Sequence, residues 1–158
     1  MKDRFLIGEV IRVLGIPRER LKEWQLRGFI TPSIQSQQGA RVLHSYTFFD
    51  MVVIKTFDQL ITRGLNRKWA SWCVMNMYDF EKELLSDDTR FMVFYNYPES
   101  ATARPPFSII SKELTKKSFY ELFMQDVIQW EEETFDDALI LNFDRIRRFV
   151  HERAVMIG

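Results

Sequence analysis

The sequence predicts an α+β chain in three stretches: a helical unit built around a hairpin over residues 1–70, a connecting helix over 71–86, and a small α+β unit over 87–158. Three observations carry this. In the first stretch, apolar residues recur at helical spacing on both sides of a polar, glycine-containing segment. In the last, short apolar runs alternate with helical stripes. The charge also divides between the halves. The 158 residues carry 22 Lys/Arg and 22 Asp/Glu, a net charge of zero that taken alone argues against a polyanionic partner. Residues 1–68, however, hold twelve basic and six acidic side chains, and residues 69–158 hold ten and sixteen. Such asymmetry makes the basic half the candidate for a polyanion.

Ile7, Val10, Ile11 and Leu14 form one helical face, and Gly15 suits the left-handed position that ends it. Pro17 suits the first turn of a second helix, with Leu21, Trp24 and Leu26 inward and Arg18, Glu19, Arg20, Lys22, Glu23 and Arg27 outward. Two short helices across a tight glycine turn, the second rich in Arg and Lys, form a helix-turn-helix arrangement. After Gly28, the stretch Ser33–Ser45 reads as a hairpin wing flanked by strand-like Phe29-Ile30 and Arg41-Val42-Leu43. Thr47 and Asp50 have capping-box spacing and open a helix with Phe49, Val53, Phe57, Leu60 and Ile61 inward, stopped by Gly64. Asn66 caps a fourth helix. Arg67 and Lys68 fall in its first turn, where the helix dipole disfavours cations by about 0.3–1 kcal/mol each. Either they face a phosphate backbone or they extend into water.

In the second half, apolar residues at 69, 73, 77, 80 and 84 predict one continuous helical stripe to Leu85. Residues 90–97 read as a strand apolar on both faces. A proline-containing loop over 98–106, a strand at Phe107–Ile110, a helix over 116–133 and a strand at Ala138–Phe143 follow. Asp144 then caps a last helix carrying Ile146, Phe149, Val150 and Ala154. Trp69, Trp72, Met75 and Met77 belong to a dimer interface or to the core. Tyr95, Tyr97, Phe107, Trp130 and Phe143 either line a ligand pocket or fill the core. Arg145, Arg147 and Arg148 extend a DNA surface or pair with the acidic runs at Glu131-Glu132-Glu133 and Asp136-Asp137.

Ordered residues with consistent spacing resemble the MerR family of winged-helix transcription regulators. They are Ile7-Gly8-Glu9-Val10, Gly15-Ile16, Leu21-Lys22-Glu23-Trp24, Gly28-Phe29-Ile30-Thr31-Pro32, Gly39-Ala40-Arg41 with Tyr46 and Asp50, and Arg63-Gly64-Leu65. The resemblance covers about residues 5–75. The chain departs from the family pattern at Lys22, Glu23 and Ala40, and its wing is about two residues longer. The resemblance implies a sequence-specific transcription regulator whose second helix enters the major groove of double-stranded DNA while the wing grips the flanking backbone. Arg18, Glu19 and Arg20 would read base edges, and Lys22 and Arg41 would hold phosphates. Trp24 matches an aromatic position on the DNA side, and reads equally as a core anchor. Excisionases and phage packaging proteins share this winged-helix type, so an architectural or assembly protein is the alternative.

A homodimer is implied, and a small-molecule effector or RNA polymerase enters as a further partner. No membrane partner is expected, because no segment approaches about 18 uninterrupted apolar residues; the expected compartment is the cytoplasm. The single cysteine, Cys73, excludes a disulfide framework, and His44 and His151 form no metal spacing with it. No phosphate loop, nucleophile elbow or zinc-protease motif is present, so neither an enzyme nor a cofactor is expected.

Overall fold

A computed structural model describes residues 2–96, 107–111 and 137–158, and the chain is a mixture of helices and antiparallel strands in two units. The first unit comprises residues 1–78 and 145–158, the second residues 79–144. The division therefore falls at Tyr78/Asp79 instead of at residues 70 and 86. It also returns the last helix to the N-terminal unit, whereas its sequence position suggests the C-terminal one.

The first unit opens with β1 (Phe5–Leu6) and α1 (Ile7–Leu14). Glu9 accepts from the Leu6 amide at 2.8 Å and pairs with Lys2 at 2.6 Å, satisfying an orphan donor at the start of the helix. Gly15 ends α1 at φ 68°, and its amide donates to Ile11 at 2.9 Å. After Pro17, α2 (Arg18–Leu26) buries Leu21 and Trp24. Leu26 is 90% exposed, contrary to the inward position predicted for it, because two residues beyond Trp24 is nearly the opposite side of a helix.

The hairpin strands are β2 (Ile34–Gln38) and β3 (Arg41–Tyr46), turning at Gly39 with φ 60°. Phe29-Ile30 is not a strand. The Phe29 amide instead closes the end of α2 on the Trp24 carbonyl at 2.9 Å. β3 is the middle strand, antiparallel to both β2 and the two-residue β1.

The capping box opens α3 (Phe48–Thr62): the Asp50 amide donates to Thr47 Oγ1 at 3.0 Å, and the Thr47 amide donates to Asp50 at 2.8 Å. Asp50 is itself buried and also accepts from the amide and hydroxyl of Ser33 and from Tyr78 Oη at 2.7 Å. A buried carboxylate needs such donors. Met51, Val52, Val53, Ile54, Phe57 and Leu60 are all buried, so α3 is apolar nearly all round and forms the unit's central helix. Asn66 caps α4 (Arg67–Asn76) by accepting from Lys68 N at 2.8 Å and Trp69 N at 3.4 Å.

The continuous stripe predicted to Leu85 is broken. A 3₁₀ turn at Met77–Phe80 separates α4 from α5 (Glu81–Leu85). The Met77 amide bonds three residues back to Val74, tightening the chain so that Tyr78 reaches Asp50 and sets its ring edge-on to Phe49 at 5.4 Å. A connecting helix over 71–86 is therefore not a single rod.

The second unit centres on β4 (Thr89–Asn96), flanked by β5 (Phe107–Ser111) and β6 (Asp137–Asn142), all antiparallel. Met92, Val93, Phe94 and Tyr95 are buried in succession, so both faces of β4 are covered, as its apolar run predicts. Phe107 packs against Phe80 at 5.5 Å and Phe94 at 5.9 Å. Tyr95, Phe107 and Phe143 are buried. Tyr97, Trp130, the predicted loop over 98–106, the predicted helix over 116–133 and the acidic run from Glu131 to Asp136 lie outside the described residues. From β6 the chain enters α6 (Phe143–Val155), whose Val150 and Ala154 are buried.

Candidate nucleic-acid interface

Returning residues 145–158 to the first unit sharpens the charge division. The first unit holds 16 Lys/Arg and 7 Asp/Glu, a balance of +9, and the second holds 6 and 15, a balance of −9. The basic unit's field therefore favours polyanions more strongly than a split at residue 68 indicates.

Arg18, Glu19, Arg20 and Lys22 are all exposed along α2. The guanidinium of Arg18 leans back over α1, where a Cβ on Gly8 would lie 3.8 Å from Nη2. Arg20 and Arg67 line one open cleft of about 280 Å³, together with Trp24, Asp58, Ile61, Thr62 and Leu65. Glu23 joins the same region: its Oε1 lies 3.1 Å from Arg27 Nε and 3.6 Å from Arg67 Nη1. The first turn of α4 is thus brought against the α2 face. Lys68 is exposed beside it in sequence, and its amide is held by the Asn66 cap.

Trp24 is a core residue. It is fully buried and meets the Phe57 ring edge-on at 4.9 Å. Its ring packs in the core and forms part of the wall of the Arg20–Arg67 cleft. Its Nε1 has no hydrogen-bond partner among the described residues.

Arg41 is exposed where the hairpin turn enters β3. At the other end of that strand Tyr46 is buried, and its hydroxyl accepts from the Gln25 amide of α2. Burial pushes the Tyr46 phenol above its ordinary range, the Gln25 bond opposes this, and the nearby Asp50 carboxylate reinforces it. The Gln25–Tyr46 link, like the Glu23 pairs, escapes sequence reasoning. Its partners are 21 residues apart, and neither residue type announces a contact.

Cys73 is buried, and burial pushes its thiol well above the usual range, making it a small hydrophobe and a poor nucleophile. His44 and His151 are exposed; the His151 ring stands edge-on to Phe48 at 6.2 Å. Among the described residues no group of His, Cys, Asp or Glu is placed to hold a metal ion, and no helix is long and apolar enough to cross a membrane. Comparison with protein-family models and with curated proteins finds no match to this chain.

Proposed function

We propose that the first unit is a winged helix-turn-helix reader of double-stranded DNA, of MerR-like type, in a regulator of transcription. The observation that carries this reading is the exposed Arg18-Glu19-Arg20-Lys22 face of α2, which follows a glycine turn, stands on a unit of +9 charge and is tied to the β2–β3 hairpin through Gln25 and Tyr46. Arg18 and Arg20 suit guanine edges, and Glu19 suits the amino group of cytosine. Lys22, Arg41, Arg67 and Lys68 suit phosphates. Arg20 and Arg67 share a cleft, so a base-reading and a phosphate-holding side chain work side by side. DNA readers with paired half-sites act as homodimers, and a homodimer belongs to this proposal. The acidic second unit is left for dimerisation, for sensing an effector or for contact with RNA polymerase.

The test is a salt titration of binding to a duplex pool, with a site selected from that pool by the protein itself. Affinity falls with salt at a log–log slope of about −0.9 per phosphate contacted. Arg18→Ala relaxes preference at one position at about 1–3 kcal/mol, whereas Arg41→Ala weakens all sequences alike and flattens the slope by about one. Absence of salt-dependent duplex binding would refute the reading.

A further inference from the structure

The last helix reaches into the α1–α2 turn. Arg153 Nη1 in α6 donates to the Val13 carbonyl at 3.2 Å, and a Cβ on Gly15 would stand 3.6 Å from the same nitrogen. From α3, Lys55 Nζ donates to the neighbouring Leu14 carbonyl at 3.5 Å. Both cations sit over the Phe149 ring of α6, Arg153 at 4.5 Å and Lys55 at 5.0 Å from its centroid. Two of the four carbonyls left open at the end of α1 are thus closed by cations, where the helix dipole favours positive charge. One of those cations comes from the far end of the sequence, 140 residues away.

We propose that Arg153 is a positioning residue for α2: the C-terminal helix clamps the turn that sets how α2 is presented. The inference rests on the DNA-reading proposal for its functional consequence but not for the clamp itself. Phe149 supplies a rigid aromatic face for both cations, so neither long side chain must order itself alone. α6 follows β6 directly in the chain, and its residues from Arg145 onward belong to the first unit, as the α1–α2 turn does. A change that draws α6 out of place removes a donor from the α1 terminus and loosens α2.

The test is backbone amide hydrogen exchange on the full chain, comparing wild type with R153M and R153K. It is followed by binding to a duplex selected by the wild-type protein and to a random-sequence duplex pool. The reporters are the Gly15 amide, bonded to Ile11, and the Leu21 amide, bonded to Pro17. R153M is expected to speed exchange at these two amides about tenfold, the scale of one charge-assisted hydrogen bond, and to leave amides inside α3 unchanged. Its preference for the selected duplex over the pool falls, and R153K restores most of both. Unchanged exchange at Gly15 and Leu21, or faster exchange throughout α3, overturns the clamp. Faster exchange at the turn with unchanged duplex preference overturns the positioning role. If wild type binds no duplex, the DNA reading fails, and the exchange measurement still decides the clamp.

Discussion

The side-chain amide of Gln25 in α2 donates to the phenol oxygen of Tyr46 in β3, so the helix carrying the exposed cations and the strand leading from the hairpin share one hydrogen bond. Tyr46 is fully buried and pairs through its backbone with Phe5 of β1, which makes it a junction of three elements.

Tyr46→Phe removes that bond and leaves the Gln25 amide short of an acceptor. The expected loss is about 1 kcal/mol of unfolding free energy, read from denaturant midpoints. Because the folded phenol titrates above its ordinary value of 10.0, the stability it contributes is intact below that pH. It declines as pH rises through the folded value. Tyr46→Phe therefore flattens the alkaline limb of the stability curve, and an unaltered limb would show that another group sets it.

Glu9 gives the opposite sign. The Lys2 hydrogen bond first, and the Leu6 amide second, hold its carboxyl below the ordinary 4.5. A depressed folded value contributes stability that is present above the ordinary carboxylate range and is lost as pH falls through the folded value. Glu9→Gln should make the melting temperature less sensitive to acid. The pair is near the surface, so the difference at neutral pH is about 2 °C or less. Parallel melting curves for the two proteins from neutral to acid pH would show that Glu9 contributes nothing there.

Features set by neighbours in sequence were legible without coordinates. Gly15 ends α1, Thr47 and Asp50 form their box, and Asn66 caps α4, because each needs only partners two to four residues away. The apolar run of β4 announced burial on both faces for the same local reason. What depended on distant partners was not legible. The pattern Ile146, Val150, Ala154 shows that α6 has an apolar face, but not which unit that face covers. β1 has two residues and owes its existence to β3. The break at Met77 goes with a contact between Tyr78 and Asp50, 28 residues earlier. Within the candidate interface, residue type marked Arg18, Arg20, Arg41, Arg67 and Lys68 as exposed cations, while the Glu23 pairs and the cleft that gathers Arg20 with Arg67 required the fold.

Trp24 separates a core role from an interface role. Its full burial against Phe57 predicts that Trp24→Ala costs about 3–5 kcal/mol, the range for emptying a large aromatic site. Trp24→Phe keeps an aromatic edge toward Phe57 and removes an indole N–H that has no partner among the described residues, so it costs less. Trp24→Phe should leave duplex affinity unchanged in binding titrations. A loss of affinity without a loss of stability would move Trp24 back to the interface.

Glu23 is the last test, because it restrains the cations around it. One carboxylate oxygen faces both Arg27, within α2, and Arg67, from α4. All three side chains are between 41% and 58% exposed, so the pairs themselves contribute little, about 0–1 kcal/mol in total. Their effect on a polyanion is larger, because the carboxylate offsets two guanidinium charges on the face proposed to meet phosphate. Glu23→Gln keeps the shape and one acceptor while removing the charge. It should leave the denaturation midpoint nearly unchanged, raise duplex affinity at low salt and steepen the salt slope by about one. The gain should vanish toward 1 M salt, where the screening length is about 3 Å. Weaker binding instead would mean that Glu23 orients Arg67 and that its pairing, not its charge, governs the interface.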